Sequence, residues 1–275
     1  MYDFFLGDRE QLRREPRRFL VAVKHMLPRW ANSLPDSEYL ATHDLIMESD
    51  WTDGPVFVET GVGASTLLLL HHAMERGGRV ISWDLSSAKA SFLRQVASET
   101  LEPMHRRAIA EHWTFVSSSS LSPHTGMAIL PQLTDRVNLS IHDSDHTWQT
   151  ISGEIEGVVP VLVDKGIVCV DDANQVFQHT YEPIINMTRR KLGLPPMAPL
   201  PDNRGPAHCD AIPALLARHF ETVEAVAVDV QNSLKDDPYY AWYDTDRRGM
   251  ASVGMEKFET LHRRFVALRV SGRRR

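Results

Sequence analysis

Apolar residues recur along this chain in two rhythms. Over the first fifty residues they fall at helical spacing, with Phe19, Leu20, Val23 and Leu27 on one stripe. Pro16 fits a first helical turn. Pro28 and Pro35 break the pattern, and Asp36 is placed to cap a second helix through about Glu48. The rhythm then shortens. Val56-Phe57-Val58 is a compact apolar run bounded by Gly54-Pro55 and Gly61, which predicts a buried strand. Residues 64–76 follow, with Leu67 to Leu70 apolar on all sides, as in a helix packed on a sheet. Gly77-Gly78 ends it. Further strands are predicted at 79–83, 113–116, 137–141 and 167–170. Helices are predicted at 87–100, with Phe92, Leu93 and Val96 inward, and at 146–163, with Ile151, Ile155, Val158, Val159 and Leu162 on one stripe. Such alternation of strand and helix implies a parallel sheet covered by helices on both faces.

The pattern loosens after Asp172. Residues 177–191 can be helical. Residues 194–206 hold Pro195, Pro196, Pro199, Pro201 and Pro206, too many for a regular element. A long irregular stretch in a compact domain suits a functional lid, here within an insertion near 173–210. A short helix at 211–219 and strands at 223–228 and 251–254 follow. Met255, Phe258, Leu261, Phe265 and Leu268 then predict a closing amphipathic helix. Two parts result: an N-terminal helical cap, 1–50, and a sheet domain, 51–275. The cap and the Pro-rich segment are expected to cover the ligand crevice. The cap is also the candidate surface for pairing two subunits.

Composition narrows the class. The chain has 275 residues and 31.2 kDa, enough for one large domain or two small ones. Hydrophobic residues at 43% and charged ones at 24% are ordinary for a globular protein. A net charge of −6 argues against a dedicated nucleic-acid binder. Two cysteines, Cys169 and Cys209, make neither a disulfide framework nor a zinc knuckle. A reducing cytoplasm is the expected compartment. Apolar runs such as 158–163 fall far short of the ~20 residues of a membrane span. The Arg273-Arg274-Arg275 end reads as a frayed, solvated terminus.

Glu59-Thr60-Gly61-Val62-Gly63 stands where the first strand meets the first helix of the sheet. Glycines there allow a sharp turn and close approach of a ligand, or they build the turn alone. Asp84 ends the second strand, a place where an acid accepts hydrogen bonds from ribose hydroxyls. The third glycine of a dinucleotide fingerprint is replaced by Thr66, and no Gly-Lys-Ser/Thr is present, which excludes a P-loop. A nucleoside ligand without a diphosphate fits better than NAD.

Val58-Glu59-Thr60-Gly61-Val62-Gly63-Ala64-Ser65 resembles the first motif of class I S-adenosylmethionine-dependent methyltransferases. The resemblance implies an α/β fold, a doubly wound, mostly parallel seven-stranded sheet whose last strand is antiparallel. It implies S-adenosylmethionine as cofactor. Glu59, Gly61 and Gly63 would lie against its methionine portion, Asp84 would hold the ribose, Ser118 and Ser119, after strand three, would flank the adenine, and Thr60 and Ser65 would also bind the cofactor.

A second set of residues lies at the ends of strands four and five. These are His142-Asp143-Ser144-Asp145-His146 and Asp171-Asp172. Carboxylates converging there would repel and raise each other's pKa, and a hard divalent cation removes the conflict. Alternatively, Asp143 or Asp145 caps the following helix. Asp-Ser-Asp-His-Thr, a helix, then Lys-Gly-Ile-Val-Cys-Val-Asp-Asp is similar to the metal-dependent O-methyltransferases of small molecules and sugars from bacterial natural-product pathways. That similarity implies Mg²⁺, or another divalent cation, on Asp143, Asp171 and Asp172. It also implies His146 as the base, with Asp143 beside it. A metal-bound alcohol loses its proton to a nearby base and attacks the methyl sulfonium in line. The expected acceptor is a small molecule bearing hydroxyl groups, with no nucleic acid or membrane as partner.

Other residues carry weaker chemistry. His71-His72 lies too far along its helix to reach the cofactor and reads as surface or core. His124, His179, Trp148 and the group Tyr239, Tyr240, Trp242, Tyr243 are candidates to line an acceptor pocket, or simply pack. Cys169 reads as an inert buried thiol. Two other functions remain: a nicotinamide-dependent oxidoreductase, which Thr66 opposes, and a non-catalytic protein that keeps the fold, which the intact acids oppose.

Overall fold

The structure is a computed structural model and describes residues 14–32, 34, 36–173, 186, 189–196, 208–226 and 265–274. Two helices, α1 (Pro16–His25) and α2 (Asp36–Met47), precede β1 (Val56–Thr60), α3 (Ala64–Arg76), β2 (Arg79–Asp84), α4 (Ser87–His105) and β3 (Trp113–Ser117). Then come α5 (Leu130–Leu133), β4 (Val137–His142), α6 (Trp148–Val158), β5 (Leu162–Val170), α7 (His208–Leu216), β6 (Phe220–Ala225) and β7 (Val266–Arg273).

The seven strands form one sheet in the order β3-β2-β1-β4-β5-β7-β6. β1 pairs in parallel with β2 and β4, and the parallel ladder continues to β3 and β5. β7 runs antiparallel to both β5 and β6. The order reverses between β1 and β4, so the carboxyl ends of β1, β2 and β4 open onto a crevice where such sheets bind ligands.

The inner strands β1, β2 and β4 are buried on both faces, and the alternation of side chains sorts them into two cores. Phe57, Val80, Leu139, Ile141, Ile167 and Cys169 pack with α1 to α4. Val56, Val58, Ile81, Val168 and Val170 pack with α6 and α7 on the other side. The N-terminal helices α1 and α2 share the first of these cores. Asp36 does not simply cap α2. Its carboxylate takes hydrogen bonds from the fully buried Lys24 and from His25, and clips α2 to α1. Breaking a buried pair of this kind costs about 3–5 kcal/mol.

Several expectations need correction. Residues 265–268 are not the end of an amphipathic helix. They enter β7, where Leu268 faces Val168 on one side and Ala225 on the other. Val266, Leu268 and Val270 face one core and Ala267 the other, so the period is two. Helical spacing at Phe265 and Leu268 is overridden by the slot between β5 and β6. The C-terminus is not frayed at Arg273 and Arg274. Arg273 donates to the carbonyls of Val159, Pro160 and Leu162, and Arg274 to that of Phe220. The helix expected over 146–163 stops at Val158, and Leu162 already belongs to β5. Most of 177–191, most of the Pro-rich segment, 227–264 with its expected strand at 251–254, His179 and the Tyr239–Tyr243 aromatics lie outside the described residues. No helix among the described residues is long and apolar enough to cross a membrane.

Candidate active site

The turn after β1 is built around Gly61. Its φ is +85°, and a Cβ placed there would meet the Asp143 carbonyl oxygen at 2.0 Å. Glycine is thus required twice, for the left-handed backbone and for close contact with the β4 end. The Gly61 N–H donates to the Trp83 carbonyl, and the Asp143 N–H to that of Thr60, which locks the three strand ends together. Gly63 is extended, and its N–H donates to Thr66 Oγ1, the residue that stands where a third glycine is absent. The nearest atom to a Cβ on Gly63 is the Ala31 carbonyl oxygen at 3.5 Å. The short turn after α1 therefore lies beside the glycine turn.

Asp84 closes the opposite wall. Its carboxylate accepts from the N–H groups of Val62 and Ser86, and Lys89 Nζ stands 3.8 Å away. Ser118 follows directly, its N–H on the Asp84 carbonyl. Its hydroxyl lies 2.6 Å from Thr125 Oγ1, and Ser119 Oγ accepts from the Leu121 N–H. Gly61, Gly63, Asp84, Ser118 and Ser119 thus gather at one crevice.

Glu59, Thr60 and Ser65 do not present their side chains there. Glu59 is fully buried, and its carboxylate takes hydrogen bonds from Ser65 and Ser82, at 2.8 and 2.7 Å. Burial pushes its pKa up to about 7, against the hydroxyl bonds that pull it down. Thr60 points to the other face and donates to Glu154, which also bonds His142; His142 in turn meets Ser140. These residues brace the strand ends from below. The residue pattern hides this because a strand residue's face is set by register alone.

His146 and Asp143 do meet. The imidazole Nε2 lies 3.3 Å from Asp143 Oδ1 and 4.0 Å from Asp172 Oδ2. His146 and Asp172 both have left-handed backbones, φ +56° and +49°. Non-glycine residues there carry strain that surrounding contacts must hold. One such contact has no signal in the residue pattern: His208, at the start of α7, donates from Nε2 to the His146 carbonyl at 2.7 Å. Its ring stacks on Trp148 at 5.9 Å. Only its distance in sequence hid it. Burial would lower the His146 pKa, but the Asp143 hydrogen bond and the charges of Asp143, Asp172 and Asp171 raise it to about 9. Burial raises the Asp143 pKa, while the His146 bond opposes it. Thr147 caps α6, its Oγ1 accepting from the Thr150 N–H, and Asp145 supports that cap by accepting from the Thr147 N–H and from the Thr147 and Thr150 hydroxyls.

Asp143, Asp171 and Asp172 are not gathered as metal ligands. Asp171 Oδ1 accepts from the Asp172 N–H, and the imidazole of His146 faces Asp143 and Asp172. Mg²⁺ needs oxygens at roughly 2.0–2.1 Å from one centre. Among the described residues, the one set of three ligand atoms within 4.8 Å of one another is His71, His72 and Glu75. The His146 imidazole, 3.3 Å from Asp143 and 4.0 Å from Asp172, is one source of positive charge for these acids when protonated. Of the other candidates, His124 is exposed in the loop after β3 and Cys169 is buried, its thiol pushed up by burial. A cavity of about 450 Å³ lined by Gly54, Gly78, Arg79 and Arg136 lies at the amino ends of the strands, away from these groups.

Residues 58–173 match a family model described as a methyltransferase domain. The match covers less than half of the chain. It spans β1 to the end of β5 and so includes the glycine turn, Asp84 and both acidic strand ends. An O-methyltransferase from Bacillus cereus, solved with S-adenosylhomocysteine, is similar in fold at a TM-score of 0.45 and 13% identity, over 82% of this chain and 91% of that one. A TDP-rhamnose 3'-O-methyltransferase of calicheamicin biosynthesis gives 0.41 and 18%, over 70% and 91%. A putative rRNA methylase from Clostridium thermocellum gives 0.36 and 16%, over 47% of this chain and 65% of that one. Among curated proteins no sequence match is found.

Proposed function

We propose that the methyltransferase domain transfers the methyl group of S-adenosylmethionine to a hydroxyl of a small molecule, with the His146–Asp143 pair as base. The observation that carries this reading is the 3.3 Å contact between His146 Nε2 and Asp143 Oδ1 beside the Gly61 turn. A hydroxyl is a weak nucleophile until its proton leaves, and a positioned imidazole–carboxylate pair takes that proton. The pair stands at the β4 end, next to the turn that holds the cofactor. Asp84 and the glycine turn fix the cofactor, so approach of the acceptor to the methyl carbon is a matter of positioning. At neutral pH the raised pKa keeps His146 protonated in the free enzyme. A sulfonium cation bound next to it favours the neutral imidazole, the form that accepts a proton.

A divalent cation is the further element that the sequence suggests, on Asp143, Asp171 and Asp172. In this reading the base and the charge compensation come from side chains. The test is methyl transfer from labelled S-adenosylmethionine to a panel of sugars, catechols and polyketide alcohols, with and without excess chelator. Label in an ether-linked product, retained with chelator and lost in His146→Ala, supports the reading. Product only at nitrogen or carbon overturns the O-methyl assignment. Loss of turnover in chelator, restored by Mg²⁺, returns the ion to the reaction.

A further inference from the structure

The most unusual cluster in the molecule lies outside the crevice. His71 and His72 on α3 are both buried, yet each uses only one ring nitrogen. His71 Nδ1 lies 3.0 Å from His105 Nε2 on α4, and His72 Nε2 lies 3.0 Å from His43 Nδ1 on α2. The other nitrogens, His71 Nε2 and His72 Nδ1, are buried without a hydrogen-bond partner. Orphaned buried groups of this kind are rare and costly. Glu75 follows His71 by one helical turn, its Oε2 4.0 Å from His71 Nε2, with its side chain half in solvent. Ligand atoms of His71, His72 and Glu75 lie within 4.8 Å of one another.

We propose that His71, His72 and Glu75 form a binding site for a divalent transition-metal ion of the Zn²⁺ class. Two imidazoles and a carboxylate are the donor set that such ions take, and Mg²⁺ and Ca²⁺ prefer oxygen alone. A ligating imidazole normally donates its second N–H to a fixed acceptor, which sets tautomer and ring orientation. His105 and His43 stand at those positions, and each can accept through the nitrogen facing α3. Burial holds both α3 imidazoles well below the usual histidine pKa, so they are neutral and ready as ligands. Glu75, at the exposed edge, gives the ion a path in and leaves a fourth position for water. The site is about 12 Å along α3 from Gly63, so it does not share the crevice. Through His43 and His105 the ion would tie α2 and α4 to α3. Phe19 of α1 packs on the His71 ring as well, with centroids 5.9 Å apart.

The test uses the metal-free, untagged full chain. Calorimetry with Zn²⁺ should show one ion per chain, not displaced by millimolar Mg²⁺. Co²⁺ should give visible bands of a four-coordinate site. Zn²⁺ should raise the thermal midpoint, since it binds only the folded form. Glu75→Gln, on the exposed edge, should keep the fold and weaken Zn²⁺ at least tenfold. His105→Gln, which removes the supporting imidazole and its ring contact with His71, should weaken it by roughly 10–100-fold. Asp171→Asn should leave stoichiometry and affinity as they are. Histidine variants of the pair itself risk misfolding, and the Glu75 variant keeps the proposal testable. No binding at micromolar Zn²⁺ overturns it. So does binding that Glu75→Gln leaves unchanged, or binding that Asp171→Asn removes.

Discussion

His146 Nε2 and Asp143 Oδ1 lie 3.3 Å apart at the end of β4, on a turn whose histidine has a left-handed backbone. The contact sets the pH behaviour of the proposed reaction. His146 is raised to about 9, where an unperturbed histidine titrates near 6.5. The active form is the neutral imidazole, so kcat/KM should climb with pH and level only above about 9, since it reports the free enzyme. Asp143→Asn removes the hydrogen bond and a charge, and should move that limb down. His146→Ala should erase the limb, slow transfer by ~10²–10⁴-fold and keep cofactor affinity. A limb near 9 that survives in His146→Ala would assign it to another group.

The two glycines of the β1 turn should separate cleanly. Gly61→Ala sets a Cβ 2.0 Å from the Asp143 carbonyl at φ +85°, so the strand ends must part. Its thermal midpoint should fall, and S-adenosylhomocysteine binding with it. Gly63→Ala meets only the Ala31 carbonyl at 3.5 Å, an ordinary contact. It should fold with near-normal stability yet bind the cofactor more weakly, because the crevice side of the turn is filled. Calorimetry beside thermal unfolding checks both. Unchanged affinity in Gly63→Ala would remove the cofactor from that turn.

His208 is a positioning residue with its own signature. Its Nε2 donates to the His146 carbonyl at 2.7 Å and holds a backbone that a histidine adopts only under constraint. His208→Ala should lower kcat by roughly 10–10²-fold through misplacement of the base, with little change in S-adenosylhomocysteine affinity. His208→Gln, which retains a donor, should recover part of the loss. An equal loss in both variants would mean that packing against Trp148, not the hydrogen bond, is what matters.

Much of this was legible in the residues. The apolar runs placed β1 to β5, and the glycine turn and Asp84 marked the crevice, because turn chemistry and strand ends are local features. The seven-stranded, mostly parallel sheet with an antiparallel last strand followed from the resemblance, not from periodicity. What stayed hidden depended on tertiary partners. Phe265 and Leu268 had helical spacing, but the open edges of β5 and β6 drew that segment into β7. Glu59, Thr60 and Ser65 shared a motif with Gly61, yet strand alternation sent Glu59 and Thr60 to opposite faces of the sheet, and Ser65, in the first turn of α3, bonds Glu59. His208 carried no signal, since it meets His146 across 62 positions.

Glu59 gives a final test, of both linkage and role. Its carboxyl is fully buried, and burial raises its pKa from 4.5 to about 7, against bonds from Thr66, Ser82 and Ser65. The folded form therefore binds this proton more tightly than the unfolded form. The resulting stability is present in full below about 4.5 and is lost as pH rises through about 7. At most the loss is roughly 3 kcal/mol between pH 4.5 and 8.5. Glu59→Gln keeps an oxygen acceptor and cannot ionise, so this loss should be absent from it. Denaturant midpoints at pH 5 and 8.5 should show wild type losing ground to the variant as pH rises. Both Glu59 oxygens are already engaged beneath the turn. Glu59→Gln should therefore change S-adenosylhomocysteine affinity less than Asp84→Ala, which removes a crevice-facing carboxylate worth about 1.5–3 kcal/mol per charged hydrogen bond. A larger loss in Glu59→Gln would show that the acid reaches the methionine portion once the cofactor is bound.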